Sequence, residues 1–411
     1  MTRWIIFIVV CGIIDFYAFQ AFKTVIKSSW ITGIYSIVSV FILANFSYQL
    51  FTFNRAIGID SGLASASALF ILIYVPKLVL ITTLFVEDIF RLFETIFNYF
   101  SRNEILNESS YAPSRRSFIS KIALGLAAIP FGSILYGIFK GKYNFKVLKY
   151  SLYFEDLPEA FDGYKLTQIS DVHSGSFDNV KKVEYAIDLI NKQQSDVLLF
   201  TGDLVNNKAE EMHPYINAFK KLNAKDGMFS VLGNHDYGDY VNWNTDIEKS
   251  QNLEDLKSLQ KEIGFDLLLN ENRFIEKNGE RIALIGVENW GKGFKQKGDL
   301  KKASQNVDIN DFKILMSHDP SHWEEEVVND KYHYHLTLSG HTHGMQFGIE
   351  IPGWFKWSPV KWRYKHWAGI YKELGQYINV NRGFGYLAFP GRVGIWPEIT
   401  VIELKKGSNN T

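Results

Sequence analysis

Five short stretches collect the side chains that bind metal ions: Asp171-Val172-His173, Gly202-Asp203, Gly233-Asn234-His235-Asp236, Ser317-His318 and Gly340-His341-Thr342-His343. Each follows an apolar, strand-like run. Asp, Asn and His offer hard oxygen and borderline nitrogen donors without thiolate, a set suited to Mn, Fe, Zn or Mg in hydrolytic rather than redox chemistry. The chain has ten histidines and five sit in these stretches, which argues for one shared site. The single cysteine, Cys11, lies in an apolar segment, so an intramolecular disulfide framework and a cysteine-rich zinc site are excluded.

The elements that must position these residues begin near residue 146, where short apolar strands alternate with amphipathic helices in the manner of an α/β layer structure. The pattern predicts strands at Lys165 to Ser170, Asp196 to Thr201, Gly227 to Leu232, Arg281 to Val287, Phe312 to Ser317 and Tyr334 to Ser339. It predicts helices at Val180 to Gln193, Ala209 to Leu222 and Asn252 to Ile263. Every motif starts where a strand ends, and ligands of open α/β sheets gather at the carboxyl ends of strands. Period-two alternation in an extended segment places His341 and His343 on one side, and likewise Asp171 and His173.

In order and content the five blocks resemble the calcineurin-like metallophosphoesterase family, over about residues 164 to 404. One fragment alone means little, since Gly-Asp-Leu is a common turn and His-x-His suits a half-exposed strand. Five in order are specific. The resemblance implies a four-layer α/β sandwich and two divalent ions, one held by Asp171, His173 and His343, the other by Asn234, His318 and His341. Asp203 would bridge them, one anion keeping two dications within the ~3.5–4 Å at which both act on one phosphoryl group. His235 would contact the substrate, stabilising phosphoryl oxygens or protonating the leaving group, with Asp236 orienting its imidazole. A simple helix-start role for His235 is the alternative. Two positions depart from the common pattern: Asn206 where Asp is frequent, and Met345 where membrane-associated relatives have glycine, a change expected to narrow the site mouth. His213, His322, His333, His335 and His366 fall outside the motifs and read as ordinary surface or core residues.

The first third of the chain is of another kind. Residues 4 to 22, 30 to 51 and 63 to 86 are each near the ~20 apolar residues that span a bilayer, and 118 to 139 form a fourth such run. The expected organisation is a transmembrane region of about four helices over 1–145, a catalytic domain over 146–405 and a tail at 406–411. Asp15 and Pro76-Lys77 interrupt two of the runs; these ionisable residues either serve a function or pair inside the bundle. Ser114-Arg115-Arg116-Ser117-Phe118 resembles a twin-arginine export signal, though it follows three spans rather than opening the chain. That reading and the positive-inside rule both leave Arg115 and Arg116 inside and the catalytic domain outside; Lys140, Lys142, Lys146 and Lys149 pull the other way. The expectation is a multi-pass protein of a bacterial inner membrane with an external catalytic domain.

Lys plus Arg and Asp plus Glu are balanced at 44 each, so no basic excess points to nucleic acid. Locally the balance fails. Ile351 to Tyr371 contains four tryptophans, four Lys or Arg residues and no acid. Such interleaving suits a lipid interface, where rings settle at headgroup depth and cations meet phosphate; the other reading is that the rings pack over the sheet. Asn381-Arg382-Gly383-Phe384-Gly385 and Pro390-Gly391-Arg392 resemble a membrane-linked bacterial branch of the family, some of whose members and functional relatives cleave UDP-2,3-diacylglucosamine in lipid A synthesis. Arg382 and Arg392 would then clamp a substrate phosphate, or each pairs with a core carboxylate such as Glu398. The expected partners are the bilayer and a phosphorylated, lipid-linked substrate. A phosphodiesterase without lipid specificity and a non-catalytic membrane receptor are the alternatives; the sequence leaves oligomeric state open.

Overall fold

A computed structural model describes residues 2–100, 112–351 and 353–408. The chain divides into two compact units, Met1–Phe53 with Ile59–Phe139, and Asn54–Gly58 with Lys140–Thr411.

The first unit consists of helices α1 (Thr2–Val25), α2 (Ser29–Phe51), α3 (Ser61–Phe100) and α4 (Ala112–Phe139). Among the described residues these four are long and apolar enough to cross a membrane. The third runs to 40 residues, past the predicted 63 to 86, and Pro76 lies inside it without ending it. Asp15 and Lys77 pair with one another: Lys77 Nζ lies 2.5 Å from Asp15 Oδ1 and 2.8 Å from Ser39 Oγ, and the Tyr74 hydroxyl donates to Asp15 Oδ2 at 2.8 Å. A charge among apolar helices demands such a partner, because lipid offers none.

The long run of the second unit begins at Lys140, six residues before the expected boundary. Lys142 and the Tyr143 hydroxyl bind the Asp178 carboxylate, and Phe145 is buried in the core. One six-stranded sheet has the order β1-β14-β2-β3-β4-β5 and the other β12-β13-β9-β8-β7-β6. Their strands are β1 (Lys146–Phe154), β2 (Lys165–Ile169), β3 (Val197–Phe200), β4 (Met228–Ser230), β5 (Asp266–Leu267), β6 (Glu271–Lys277), β7 (Glu280–Gly286), β8 (Phe312–Met316) and β9 (Leu336–Ser339), followed after a small hairpin by β12 (Gly369–Glu373), β13 (Gln376–Val380) and β14 (Glu398–Lys406). The hairpin is β10 (Ile349–Ile351) with β11 (Phe355–Trp357). Since β14 extends to Lys406, the tail starts one residue later than expected.

Strand alternation builds the layers. In β3, Val197 and Leu199 enter one core while Leu198 and Phe200 enter another. In β7, Ile282 and Leu284 face the same central core as Val197, and Ala283 and Ile285 face a third. The two sheets therefore pack on each other, and helices cover their outer faces: α5 (Val180–Asn191), α6 (Ile216–Phe219) and α7 (Asp246–Ile263) on the first, α8 (Leu300–Ala303) on the second. This is the expected four-layer sandwich. The helix predicted at Ala209 to Leu222 is instead a 3-10 segment, Ala209–Tyr215, running into the short α6. Pro214, which lacks an N–H and crowds the preceding turn, accounts for the break.

Candidate metal centre

The parallel strands β2, β3, β4, β8 and β9 end at one edge, and the motif residues occupy the loops that follow. Asp171, His173 and His343 bring one ligand atom each within 4.8 Å of one another, as do Asp203, His318 and His341. The carboxylate of Asp203 connects the groups: Oδ2 is 3.6 Å from His173 Nε2 and 3.2 Å from His318 Nε2. Asn234 Oδ1 lies 2.8 Å from His341 Nδ1, which is 3.3 Å from His318 Nε2. All seven predicted ligands thus converge, three at one position and three at the next, with Asp203 between them.

The loops are not extended as expected. Asp171, His173, Asp203, His341 and His343 all have positive φ, between 47° and 70°. Five of seven ligand positions in a region that side chains avoid store backbone strain where the site is formed. Their convergence comes from these turns, not from period-two alternation. The motif glycines have a steric cause. A Cβ on Gly233 would collide with the Asp203 carboxylate, and one on Gly340 with Ser170 Oγ and Asp171 Oδ2.

Two observations show that the residues fit metal ions. Both ring nitrogens of His173 and Nε2 of His343 are buried without a hydrogen-bond partner, and a bound cation would satisfy one nitrogen of each ring. The remaining imidazoles are held by their far nitrogens, as metal ligands are. His318 Nδ1 lies 2.7 Å from the Thr201 carbonyl oxygen, and His341 Nε2 is 2.8 Å from the Tyr364 hydroxyl, with Asp319 Oδ2 at 3.4 Å. Burial opposes charge on Asp171 and Asp203, yet the surrounding imidazoles hold both carboxyls below their usual range. Burial, aided by the neighbouring His343 and His235 rings and opposed by Asp203 and Asp171, pushes the His173 imidazole well below its ordinary value, leaving a neutral ligand.

The ring of His235 meets His173 edge-on at 4.9 Å between centroids, and its Nδ1 lies 2.7 Å from the Asn206 carbonyl oxygen. Asp236 does not orient that ring. Its buried carboxylate accepts the backbone N–H groups of Gly233, Asp203 and Leu204 at 2.8–2.9 Å. Burial, followed by the charge of Asp203, raises its pKa to about 7. The variant side chain of Asn206 bonds Ser176 and leaves the ligand set untouched. Met345 is 54% exposed at φ 48°, a backbone conformation that favours glycine.

Of the two readings left open for Arg382 and Arg392, a phosphate clamp or a pairing inside the protein, the structure shows both side chains taken up inside the protein. Arg382 is buried between Glu398 (Nη1 to Oε2, 2.5 Å) and Glu350 (Nη2 to Oε1, 2.5 Å). Arg392 is fully buried and donates to the carbonyls of Arg382, Gly383 and Gly385. Neither guanidinium is left to clamp a phosphate. His322 and His366 are paired with Glu326 and Glu324, His335 with Asp156, and His213 is exposed.

Sequence reasoning missed Tyr240, Asp319 and Tyr364. The Tyr240 ring lies over His235 at 4.4 Å, and its hydroxyl accepts from Asn234 Nδ2 at 2.8 Å. No metal-ligand pattern includes a tyrosine at these spacings, so only the folded loops reveal them.

The fold and this centre define a membrane-spanning metallophosphoesterase. Residues 164–345 match the family described as calcineurin-like phosphoesterase, and residues 2–142 match that described as a probable calcineurin-like phosphoesterase transmembrane domain. The chain belongs to the calcineurin-like phosphoesterase family. It is 30% identical over 272 residues to an uncharacterized metallophosphoesterase of Aquifex aeolicus, covering 65% of this chain and 94% of that protein. It is 29% identical to the uncharacterized metallophosphoesterase YkuE of Bacillus subtilis over 71% of this chain and 98% of that one. A Helicobacter pylori metallophosphoesterase aligns over 97% of both chains at 25% identity.

Proposed function

We propose that the protein hydrolyses a phosphodiester or phosphoanhydride with two divalent ions, and that the substrate is borne on a lipid. The observation that carries the hydrolase reading is the convergence of seven donor side chains with the partnerless nitrogens of His173 and His343 among them. Such ions polarise a phosphoryl group and lower the pKa of bound water. Asp171, His173 and His343 would hold one, Asn234, His318 and His341 the other, and Asp203 both.

His235 is the chain's own acid. With Nδ1–H donating to the Asn206 carbonyl, Nε2 is the nitrogen left to serve the substrate. Protonated there, it stabilises phosphoryl oxygens or delivers a proton to the leaving group.

The apolar helices and the cation-rich aromatic segment support a lipid-borne substrate. UDP-2,3-diacylglucosamine has the required chemistry and would be the substrate only of a catalytic domain on the cytosolic side. We place the catalytic domain outside a bacterial inner membrane. Four crossings return the chain to its starting side, and Arg115 and Arg116 flank the opposite one. Of the opposing lysines, Lys142 is bound to Asp178. Protease access in intact spheroplasts tests the side; a domain cleaved only after lysis overturns it, and would return a cytosolic lipid precursor to consideration.

The hydrolase reading is tested with purified full-length protein, Mn and bis-p-nitrophenyl phosphate. Turnover is expected, and Asp203→Ala is expected to abolish it. Undiminished turnover in that variant overturns the two-metal assignment.

A further inference from the structure

The aromatic segment divides in two when folded. Tyr364 and Trp367 are buried with Val360, Ala368 and Ile395 in a small core of their own. Trp354 and Trp362 are 81% and 77% exposed. Packing thus explains half of the segment and leaves the other half unexplained.

The exposed half is continuous and of one character. In the β10–β11 hairpin, Ile351 stands opposite Phe355 and Ile349 opposite Trp357, so one face is wholly apolar. Ile349, Ile351 and Phe355 are all exposed. The Trp357 ring meets that of Trp362 edge-on at 6.0 Å, joining the hairpin to an open surface hollow of about 580 Å³ lined by Lys356, Lys361, Trp362, Arg363, Lys365 and Trp367 among others. Lys365 is paired with Glu373, and Lys356 donates to the Ala368 carbonyl and the Tyr371 hydroxyl. Among the described residues Lys361 and Arg363 form no ion pair. The nearby acid, Glu350, is turned to Arg382.

Cations without an acidic partner in an open hollow attract an anion, and an adjoining exposed apolar face attracts hydrocarbon. An occupant with both features is an anionic lipid. We propose that this hollow binds the phosphate headgroup of an anionic phospholipid through Lys361 and Arg363, with its acyl chains against Trp354, Phe355 and Trp362. The proposal rests on the hydrolase reading only for its consequence. Arg363 lies over Phe294 at 5.0 Å, and Phe294 meets His341 at 4.7 Å, so a headgroup held here stands beside the metal centre.

Binding of dioctanoyl-phosphatidylglycerol and dioctanoyl-phosphatidylcholine to full-length protein in detergent, with EDTA to prevent turnover, tests it by tryptophan fluorescence. The anionic lipid is expected to bind at least tenfold more tightly. The double variant Lys361→Glu, Arg363→Glu is expected to remove that preference, and Trp354→Ser with Phe355→Ser to weaken both lipids. Equal affinity for the two lipids overturns the proposal, as does a preference unchanged in the charge-reversed variant. Glycerophosphoglycerol, which has the headgroup without acyl chains, competing as well as the lipid would overturn the lipid assignment in favour of a soluble phosphodiester. Reporter hydrolysis by EDTA-free aliquots of the same protein supplied with Mn separates the two claims: no turnover with intact selective binding counts against the hydrolase, and the reverse counts against the lipid site.

Discussion

The Nδ1 of His235 and the carbonyl oxygen of Asn206 lie 2.7 Å apart, while the neighbouring Asp236 carboxylate faces the backbone of residues 203, 204 and 233. A neutral carbonyl therefore sets the imidazole tautomer, and the adjacent anion shapes the loop that carries Asp203. His235→Gln is expected to lower turnover of the reporter by about 10²–10⁴-fold with metal content unchanged. Loss of metal in that variant, measured by elemental analysis, would reassign His235 to the ligand set.

Asp236→Asn is expected to act differently. Replacing one carboxylate oxygen by an amide turns an acceptor of backbone N–H groups into a donor facing them. The buried mismatch costs about 1–3 kcal/mol. The variant should melt lower and bind metal more weakly, and adding Mn should restore part of its activity. Full stability with only turnover reduced would return Asp236 to the role of partner to His235.

Tyr240 offers a test that separates ring from hydroxyl. Tyr240→Phe keeps the contact with His235 but releases Asn234 Nδ2, whose amide then rotates more freely. Removing a partner of a ligand typically weakens metal binding about 10–100-fold. Metal titration should show that loss at one of two sites. Equal affinity at both sites in variant and parent would make Tyr240 a packing residue only.

Most of the second unit was legible because its strands alternate between two cores and each motif follows a strand end. Asp171, His173, Asp203, Asn234, His318, His341 and His343 come together in the loops after those strand ends, a set of residues that the family resemblance implied. What escaped depends on contacts between distant loops. Nothing in the spacing of Asn206 and His235 reveals that a backbone carbonyl, not Asp236, holds the ring. Arg382 and Arg392 looked like phosphate clamps because arginine beside glycine suits both an anion site and a buried pair, and only burial decides. The strands β1, β6, β12 and β13, partly polar along their length, carry too weak an apolar signal to be read alone. The left-handed turns at the ligands defeat a period-two argument, as strained functional positions do.

Arg382 and Glu398 are both buried, so breaking their pair is expected to be costly. Arg382→Met leaves the Glu398 carboxylate without its main partner, a loss of about 3–5 kcal/mol. Chemical unfolding should show it, with KM for the soluble reporter unchanged in the folded fraction. A raised KM at undiminished stability would instead make Arg382 a substrate residue.

His335 gives the second unit an acid sensitivity remote from the metals. Burial holds its imidazole down at about 4, against the attraction of Asp156 2.6 Å away. Its ordinary value is about 6.5. Between those two pH values the unfolded chain takes up the proton and the folded one does not, so acid favours unfolding. The contribution is complete above pH ~6.5 and falls by about 3 kcal/mol on descent to pH ~4. His335 Nδ1 accepts from the Lys313 N–H and Nε2 faces Asp156. Glutamine supplies an acceptor and a donor in place of those nitrogens without titrating. Unfolding midpoints of His335→Gln should therefore depend less on pH over that range than those of the parent. Parallel pH profiles would show that the imidazole is protonated within the fold and paired to Asp156.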